Sequence, residues 1–157
     1  MHGHDGFLQQ AIFLAVDNAR SNQGGPYGAV IVKNGTIIAR GSNRVTADND
    51  PTAHAEIIAI RQACRTLNDF RLSGCILYSN CEPCPMCLGA IYWCRLARVY
   101  YAATRQDAAQ AGFDDSYIYQ EVNLPPAERH IPMRQIRLPE TQLPFQAWLN
   151  QPARIQY

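Results

Sequence analysis

The sequence lacks any apolar run that approaches the length of a membrane-spanning helix, about 20 residues, although 47% of its 157 residues are apolar. It also lacks the features of a secretory signal, because its start, MHGHDGFLQQ, has neither a basic segment nor an apolar one. We therefore expect no membrane span and a cytoplasmic location. A chain of this length can bury a core as a single domain over residues 1–157.

Charged residues are also few, at 17% of the chain, and the net charge is +1. The basic residues, nearly all arginine, are scattered and do not gather into a patch or a tail. Proteins that bind nucleic acid usually gather positive charge in one region, because affinity comes from neutralising several phosphates at once. The composition therefore predicts no nucleic-acid partner.

Apolar periodicity and turn residues predict helices that alternate with short strands. Helices are expected over 7–19, 51–66, 86–94, 107–119 (two short pieces) and 145–149, and strands over 27–32, 36–39, 75–79, 98–104 and 133–138. Asn34-Gly35 predicts a type I′ hairpin between the first two strands. The strand, helix and strand over 75–104 predict a βαβ unit. The fold class is therefore α/β, with a partly parallel sheet covered by helices.

The six cysteines are unevenly placed, since Cys81, Cys84 and Cys87 fall within seven residues. In the cytoplasm such a cluster is typical of thiols or metal ligands rather than of a disulfide framework. The other three cysteines stand among apolar residues and are predicted to lie in the core: Cys64, Cys75 and Cys94.

The sequences TAHAEII and CEPCPMC together predict a metal site. Catalytic zinc commonly takes three protein ligands and leaves the fourth position open, and His54, Cys84 and Cys87 supply such a set. All three are expected in the first turns of helices, where the partial positive charge favours thiolate. Glu56 would lie beside the metal, where a carboxylate can accept a proton from an activated water and later deliver it.

Other interpretations of the same residues stay open from spacing alone. An iron–sulfur site fits three cysteines at two-residue gaps, but the ferredoxin pattern wants a fourth after three residues, followed by proline. A structural zinc that also used Cys81 would close the site and leave Glu56 without a role. We favour the open catalytic site, because His-x-Glu followed by Pro-Cys-x-x-Cys is the signature of zinc-dependent base deaminases.

The segments DPTAHAEIIAIRQAC and CEPCPMCLGAIYW resemble the cytidine-deaminase superfamily. This resemblance implies a three-layer α/β/α fold with a five-stranded mixed sheet, and one Zn²⁺ per subunit held at two helix N-termini. The segments GGPYGAVIVKNG, NDPTAHAE, AGFDDSYIY and the ending PFQAW…Y resemble more closely the bacterial guanine deaminases. That likeness implies hydrolysis of guanine, a small purine base, to xanthine and ammonia.

The closer resemblance also implies roles for further residues. Asn43 would orient the purine edge by paired hydrogen bonds, and Asp115 would share proton transfer with Glu56. A homodimer is implied, with a segment over about 139–157 swapped between subunits so that Tyr157 closes the partner's site. The predicted substrate-binding residues are Tyr27, Asn43, Ala55, Trp93, Asp115 and Tyr157. In place of Tyr27 the family pattern has phenylalanine, so this chain carries an added hydroxyl at the pocket edge.

From the residues alone, purely structural interpretations compete with these functional roles. Asn43 would shape a turn, Asp114 or Asp115 would cap a helix and Tyr157 would be a frayed end. Other functions also compete: a tRNA adenosine deaminase, a cytosine deaminase, or a zinc-stabilised interaction domain without activity. The apolar C-terminal stretch, LPFQAWLNQPARIQY, argues against an enzyme that holds an RNA loop, since such an enzyme should gather basic residues near its pocket.

Overall fold

The computed structural model describes residues 3–157. The chain divides into two compact units, one that ends at Asp115 and one that spans Ser116–Tyr157. Over the described residues, no helix combines the length and the apolar character that crossing a bilayer requires.

The first unit is built on a mixed sheet with helices before, between and after its strands. Its elements in chain order are α1 (His4–Arg20), β1 (Gly28–Lys33), β2 (Thr36–Ser42), α2 (Val45–Asp48), α3 (Ala55–Leu67), β3 (Ile76–Cys81), α4 (Pro85–Trp93), β4 (Arg98–Ala103) and α5 (Arg105–Gln110). The strand order is β2-β1-β3-β4. The β1/β2 and β1/β3 pairs are antiparallel, and β3/β4 is parallel.

Helices cover both faces of this sheet, because side chains of the central strands alternate between two buried clusters. Ala29 and Ile31 of β1 face the cluster that includes α3 and α4, whereas Val30 and Val32 face the cluster with Phe7 of α1. The predicted three-layer α/β/α arrangement is thus confirmed for this unit.

The helix α3 lies unusually close to β2. Its buried face is mostly alanine, and a Cβ on Gly41 would collide with the carbonyl oxygen of Ala55 and lie 2.7 Å from the backbone nitrogen of Ala59. Only glycine at this position allows so close an approach. The contact fixes the N-terminal end of α3, where His54 and Glu56 stand.

The predicted turn and crossover are confirmed. Asn34 and Gly35 have φ values of 50° and 74°, as a type I′ turn requires, and Lys33 pairs with Thr36 across it. The helix α4 connects the parallel strands β3 and β4, as expected for a βαβ unit.

Two expectations were wrong. Within residues 3–157 the sheet has four strands and not five, because 133–138 forms no strand. The helix expected to begin at Pro51 begins instead at Ala55. The carboxylate of Asp50 accepts hydrogen bonds from the backbone and hydroxyl of Thr52, at 2.8 and 2.7 Å, and so forms a turn that ends before the helix starts.

The second unit has two α-helices, α6 (Ser116–Glu121) and α7 (Leu143–Leu149), and 3₁₀ turns at Pro126–Glu128 and Pro139–Gln142. No residue of Ser116–Tyr157 is buried. Most of its large apolar side chains are exposed, among them Ile136 at 82% and Phe145 at 64%.

Candidate active site

His54 stands immediately before α3 as its N-cap residue, with extended backbone angles of φ −70° and ψ 155°. Glu56 is the second residue of the helix. Two residues inside a helix would point about 200° apart. Because His54 lies outside the helix, its ring and the Glu56 carboxylate can reach the same space.

The two cysteines occupy the corresponding end of α4. Cys84 is the N-cap residue, Pro85 is the first helical residue, and the Cys84 sulfur accepts a hydrogen bond from the backbone N–H of Cys87 at 3.5 Å. Proline suits this position because the first N–H groups of a helix have no intrahelical partner. The N-termini of α3 and α4 thus bring His54, Cys84 and Cys87 together.

The three side chains fit a tetrahedral metal. The Nδ1 atom of His54 lies 3.5 Å from the Cys84 sulfur and 3.6 Å from the Cys87 sulfur, and all three atoms lie within 4.8 Å of one another. Zinc–sulfur bonds of about 2.3 Å and zinc–nitrogen bonds of about 2.0–2.1 Å at tetrahedral angles place sulfur and nitrogen about 3.6 Å apart. The group could therefore hold a zinc ion.

The electrostatics of Cys84 also suit a metal ligand. Hydrogen bonds from the Cys87 and His54 side chains lower the pKa of the Cys84 thiol to about 4, against the opposing effect of burial. The thiolate is the form that binds a metal.

Cys81 lies apart from the ligand group. Its sulfur faces the carbonyl oxygen of Thr104 at 3.6 Å, and burial raises its pKa to about 11. Among residues 3–157, the group that could hold a metal consists of His54, Cys84 and Cys87 without Cys81. The structure thus gives no support to an iron–sulfur site or to a zinc closed by a fourth thiolate.

Glu56 is 4% exposed, and its two carboxylate oxygens have separate neighbours. The Ser79 hydroxyl lies 3.4 Å from Oε1, and the Cys87 sulfur lies 3.5 Å from Oε2. Burial raises the pKa of this carboxyl group. Glu56 therefore lies beside the ligand group without belonging to it.

A cavity of about 370 Å³ opens onto this group, and its walls come from the first unit. The predicted residues that line it are Tyr27, Asn43, His54, Glu56, Cys84 and Asp115. Its other lining residues are Gly25, Val45, Thr46, Cys81, Glu82, Arg105, Ala108, Gly112, Phe113 and Asp114.

Three predicted substrate residues do not line this cavity. Ala55 is fully buried, Trp93 at the end of α4 is 67% exposed, and Tyr157 in the second unit is 66% exposed.

The amide of Asn43 has a fixed orientation. Its Oδ1 atom accepts hydrogen bonds from the backbone N–H groups of Gly25 at 3.2 Å and Val45 at 3.1 Å. Because backbone N–H groups can only donate, the oxygen must face them, and Nδ2 is left as a donor on a residue that lines the cavity. The bond to Val45 shows that Asn43 also shapes a turn, as the purely structural interpretation predicts.

Tyr27 forms another part of the wall, where its ring meets that of Phe113 edge-on with the centroids 5.2 Å apart. Desolvation raises the pKa of its hydroxyl, with further contributions from Cys81, Glu56 and Asp115. The phenol is therefore neutral and able to donate a hydrogen bond.

Sequence reasoning missed several residues that build the site. Ser79 contacts Glu56, Asn80 bonds the backbone on both sides of Tyr27, and Asn18 bonds the two loops of the cavity wall. Ser79 and Asn80 belong to a predicted strand region and Asn18 to a predicted helix, and no motif marks them.

Comparison with known proteins agrees with this geometry. Residues 1–103 match the family model of the cytidine and deoxycytidylate deaminase zinc-binding region. The chain therefore belongs to this family of zinc-binding deaminases, and the predicted superfamily is confirmed.

Within the family, the chain is similar to guanine deaminase along nearly its whole length. The chain is 58% identical over 147 residues to guanine deaminase of Bacillus subtilis (strain 168), which covers 94% of each chain. The crystal structure of guanine deaminase from Bacillus subtilis matches 99% of each chain with a TM-score of 0.97 at 56% identity. A tRNA-specific adenosine deaminase of Agrobacterium fabrum (strain C58 / ATCC 33970) is 53% identical over 78 residues, half of this chain and 51% of that one.

Proposed function

We propose that this chain is a zinc-dependent enzyme that hydrolyses guanine to xanthine and ammonia. The observation that carries the reaction type is the cavity that joins the His54, Cys84 and Cys87 group to the buried carboxylate of Glu56. The substrate is supported by 58% identity to guanine deaminase over 94% of both chains, whereas tRNA-specific adenosine deaminases match 50% to 72% of this chain at 53% to 40% identity.

One zinc ion per subunit is proposed at His54, Cys84 and Cys87, where it would supply a water of lowered pKa as the nucleophile. One histidine and two cysteines form a donor set of the kind that a catalytic zinc takes from a protein.

Glu56 is the proposed proton carrier. It would accept a proton from the attacking water and deliver it to N3 of guanine while water oxygen bonds to C2. The resulting tetrahedral carbon must then lose its exocyclic amine as ammonia, which requires a second protonation. Asp115 lines the same cavity and is proposed to share these proton transfers with Glu56.

Asn43 is proposed to select the base. Because its oxygen accepts hydrogen bonds from two backbone N–H groups, both of the expected paired hydrogen bonds to the purine would be donated by Nδ2. Its Nδ2 hydrogens suit acceptors only. Guanine presents two acceptors, O6 and N7, on one edge, whereas adenine presents a donor beside N7. The amide thus favours guanine over adenine at this edge.

A homodimer with the 139–157 segment swapped is proposed to complete the site. Trp93 and Tyr157 are mostly exposed in the single chain, which agrees with their being covered by a second copy. Tyr27 is proposed to pack against the base, and contact with Ala55 stays a prediction. The cytoplasmic location also stays a prediction.

The proposal is tested by incubating purified, zinc-loaded protein separately with guanine, adenine, cytosine and a tRNA anticodon stem-loop. Ammonia and the deaminated product are measured in each. Xanthine from guanine alone is expected. Turnover of the RNA or of cytosine would support the zinc-dependent reaction but contradict guanine as the substrate. A zinc-loaded protein without turnover would favour an interaction domain.

A further inference from the structure

The side chain of Asn18, near the end of α1, connects the two loops that form one wall of the cavity. Its Nδ2 donates to the carbonyl oxygen of Gly25 at 2.8 Å and to that of Asn43 at 2.9 Å. Asn18 is 7% exposed and is not among the residues that line the cavity. Since both amide hydrogens are used, Asn18 can affect a bound base only through the loops that it holds.

The two loops are also bonded directly to each other. The N–H of Gly25 donates to the Asn43 side chain at 3.2 Å, and the N–H of Asn43 donates to the carbonyl of Tyr27 at 3.1 Å. A Cβ on Gly24 would collide with the carbonyl oxygen of Asn43. The Asn18 amide therefore closes a ring of hydrogen bonds in which each loop fixes the other.

One bond of this ring, from the N–H of Gly25 to Oδ1 of Asn43, helps to fix the orientation of the Asn43 amide. If Gly25 moved away, Oδ1 of Asn43 would lose one of its two backbone donors, and the amide could turn to present an acceptor as well. Without the Asn18 donor, both of these carbonyls would lose a hydrogen bond, and each loop would lose a bond that holds it beside the other.

We propose that Asn18 is a positioning residue for base recognition, which holds Asn43 with its amide donors directed at the substrate. The inference rests on the proposed function, because it assigns Asn18 a part in reading the acceptor edge of guanine. Asn18 does not contact the ligand group, so zinc binding and proton transfer by Glu56 are left intact when it is changed.

The test is a double-mutant cycle with Asn18→Asp and Asn43→Ala, measured as kcat/KM for guanine on zinc-loaded protein. Aspartate has the shape of asparagine but lacks the two donors. Since small misplacements of positioning groups can cost about 100-fold in rate, we expect Asn18→Asp to lower kcat/KM by about 10- to 100-fold, mostly through KM. In the Asn43→Ala background the same change should cost less than about 3-fold, because residues that act through one another are not additive.

Asn22→Asp is the matched control, since it makes the same chemical change at an exposed position just beyond α1, where φ is 54° and aspartate is tolerated. It should change kcat/KM by less than about 2-fold. Zinc content and thermal unfolding are recorded for every variant. If Asn18→Asp fails to fold, Asn18→Ser, which keeps one donor, takes its place in the cycle.

Equal losses in both backgrounds would show that Asn18 does not act through Asn43 and would overturn the inference, as would an unchanged kcat/KM. If the native protein turns over a base other than guanine, the proposed function fails, but the cycle is run with that base. The same non-additivity would then support the positioning role, and additivity would overturn it.

Discussion

The two units of the chain differ most in what becomes of their apolar side chains. The unit that ends at Asp115 buries many of them in two clusters on either side of its sheet. The unit Ser116–Tyr157 buries none and leaves Ile131, Ile136 and Ile155 at 69% to 82% exposure. Soluble monomers rarely expose large contiguous apolar surfaces. The first unit thus brings the candidate ligand group together from its own elements, whereas the exposed apolar side chains of the second unit are what the proposed dimer would cover.

The largest expected effect tests whether the chemistry belongs to the first unit. Glu56→Gln keeps the size of the side chain but removes the proton carrier, and turnover of guanine should fall by about 10²- to 10⁴-fold. Zinc content should stay unchanged, because Glu56 is not in the ligand group. Initial rates together with metal analysis check this, and a variant that retained substantial turnover would contradict the role.

Cys84→Ser tests the ligand set within the same unit, with Cys81→Ser as its matched control. The first change removes a ligand thiolate and should lower zinc content and turnover together, since thiolate is the stronger zinc ligand. The second removes a sulfur that faces the Thr104 carbonyl and should leave zinc content near that of the native protein. Loss of zinc in Cys81→Ser would instead indicate a site closed by four ligands.

Phe145→Glu tests the second unit. If α7 is covered by a second copy, burying a charge in place of a side chain worth about 1.5–3 kcal/mol should weaken the dimer by about 10- to 100-fold. Gln146→Glu adds the same charge at a polar position of the same helix and is the control. Sedimentation over a concentration series measures both. A native protein that is monomeric at every concentration would contradict the predicted dimer.

The smallest expected effect concerns the packing that positions α3. Gly41→Ala forces a Cβ against the Ala55 carbonyl, so we expect a loss of about 1–3 kcal/mol in the free energy of unfolding. Gly89→Ala, inside α4 with open space around its Cβ, should instead stabilise by about 0.5–1 kcal/mol. Denaturant unfolding compares the two, and equal stabilities would show that the α3 approach is less constrained than the geometry implies.

The fold was predictable where a local signal sufficed. Asn34-Gly35 specifies its own hairpin, because few residues accept positive φ at two successive positions. The first helix and the βαβ crossover followed from apolar spacing. The fifth strand failed because β propensity over 133–138 depends on a partner strand, and the described chain pairs none with it.

The start of α3 was mispredicted for a related reason. Asp50-Pro51 has the chemistry of a helix start, but the Asp50 carboxylate bonds Thr52 in a separate turn. The later start makes His54 a cap residue and not part of the first helical turn. This matters for function, because it lets His54 and Glu56 share one space although they are two residues apart.

The candidate metal ligands and the carboxylate could be named from the sequence, since His-x-Glu and Pro-Cys-x-x-Cys are short motifs that are recognisable without knowing what lies near them in space. The orientation of the Asn43 amide could not, because it depends on Gly25 and on the bonds that Asn18 makes to both loops. An amide side chain has an oxygen that accepts hydrogen bonds and a nitrogen that donates them. Which of the two is left for a ligand depends on the partners of the other, and Gly25 and Asn18 come near Asn43 only when the chain folds.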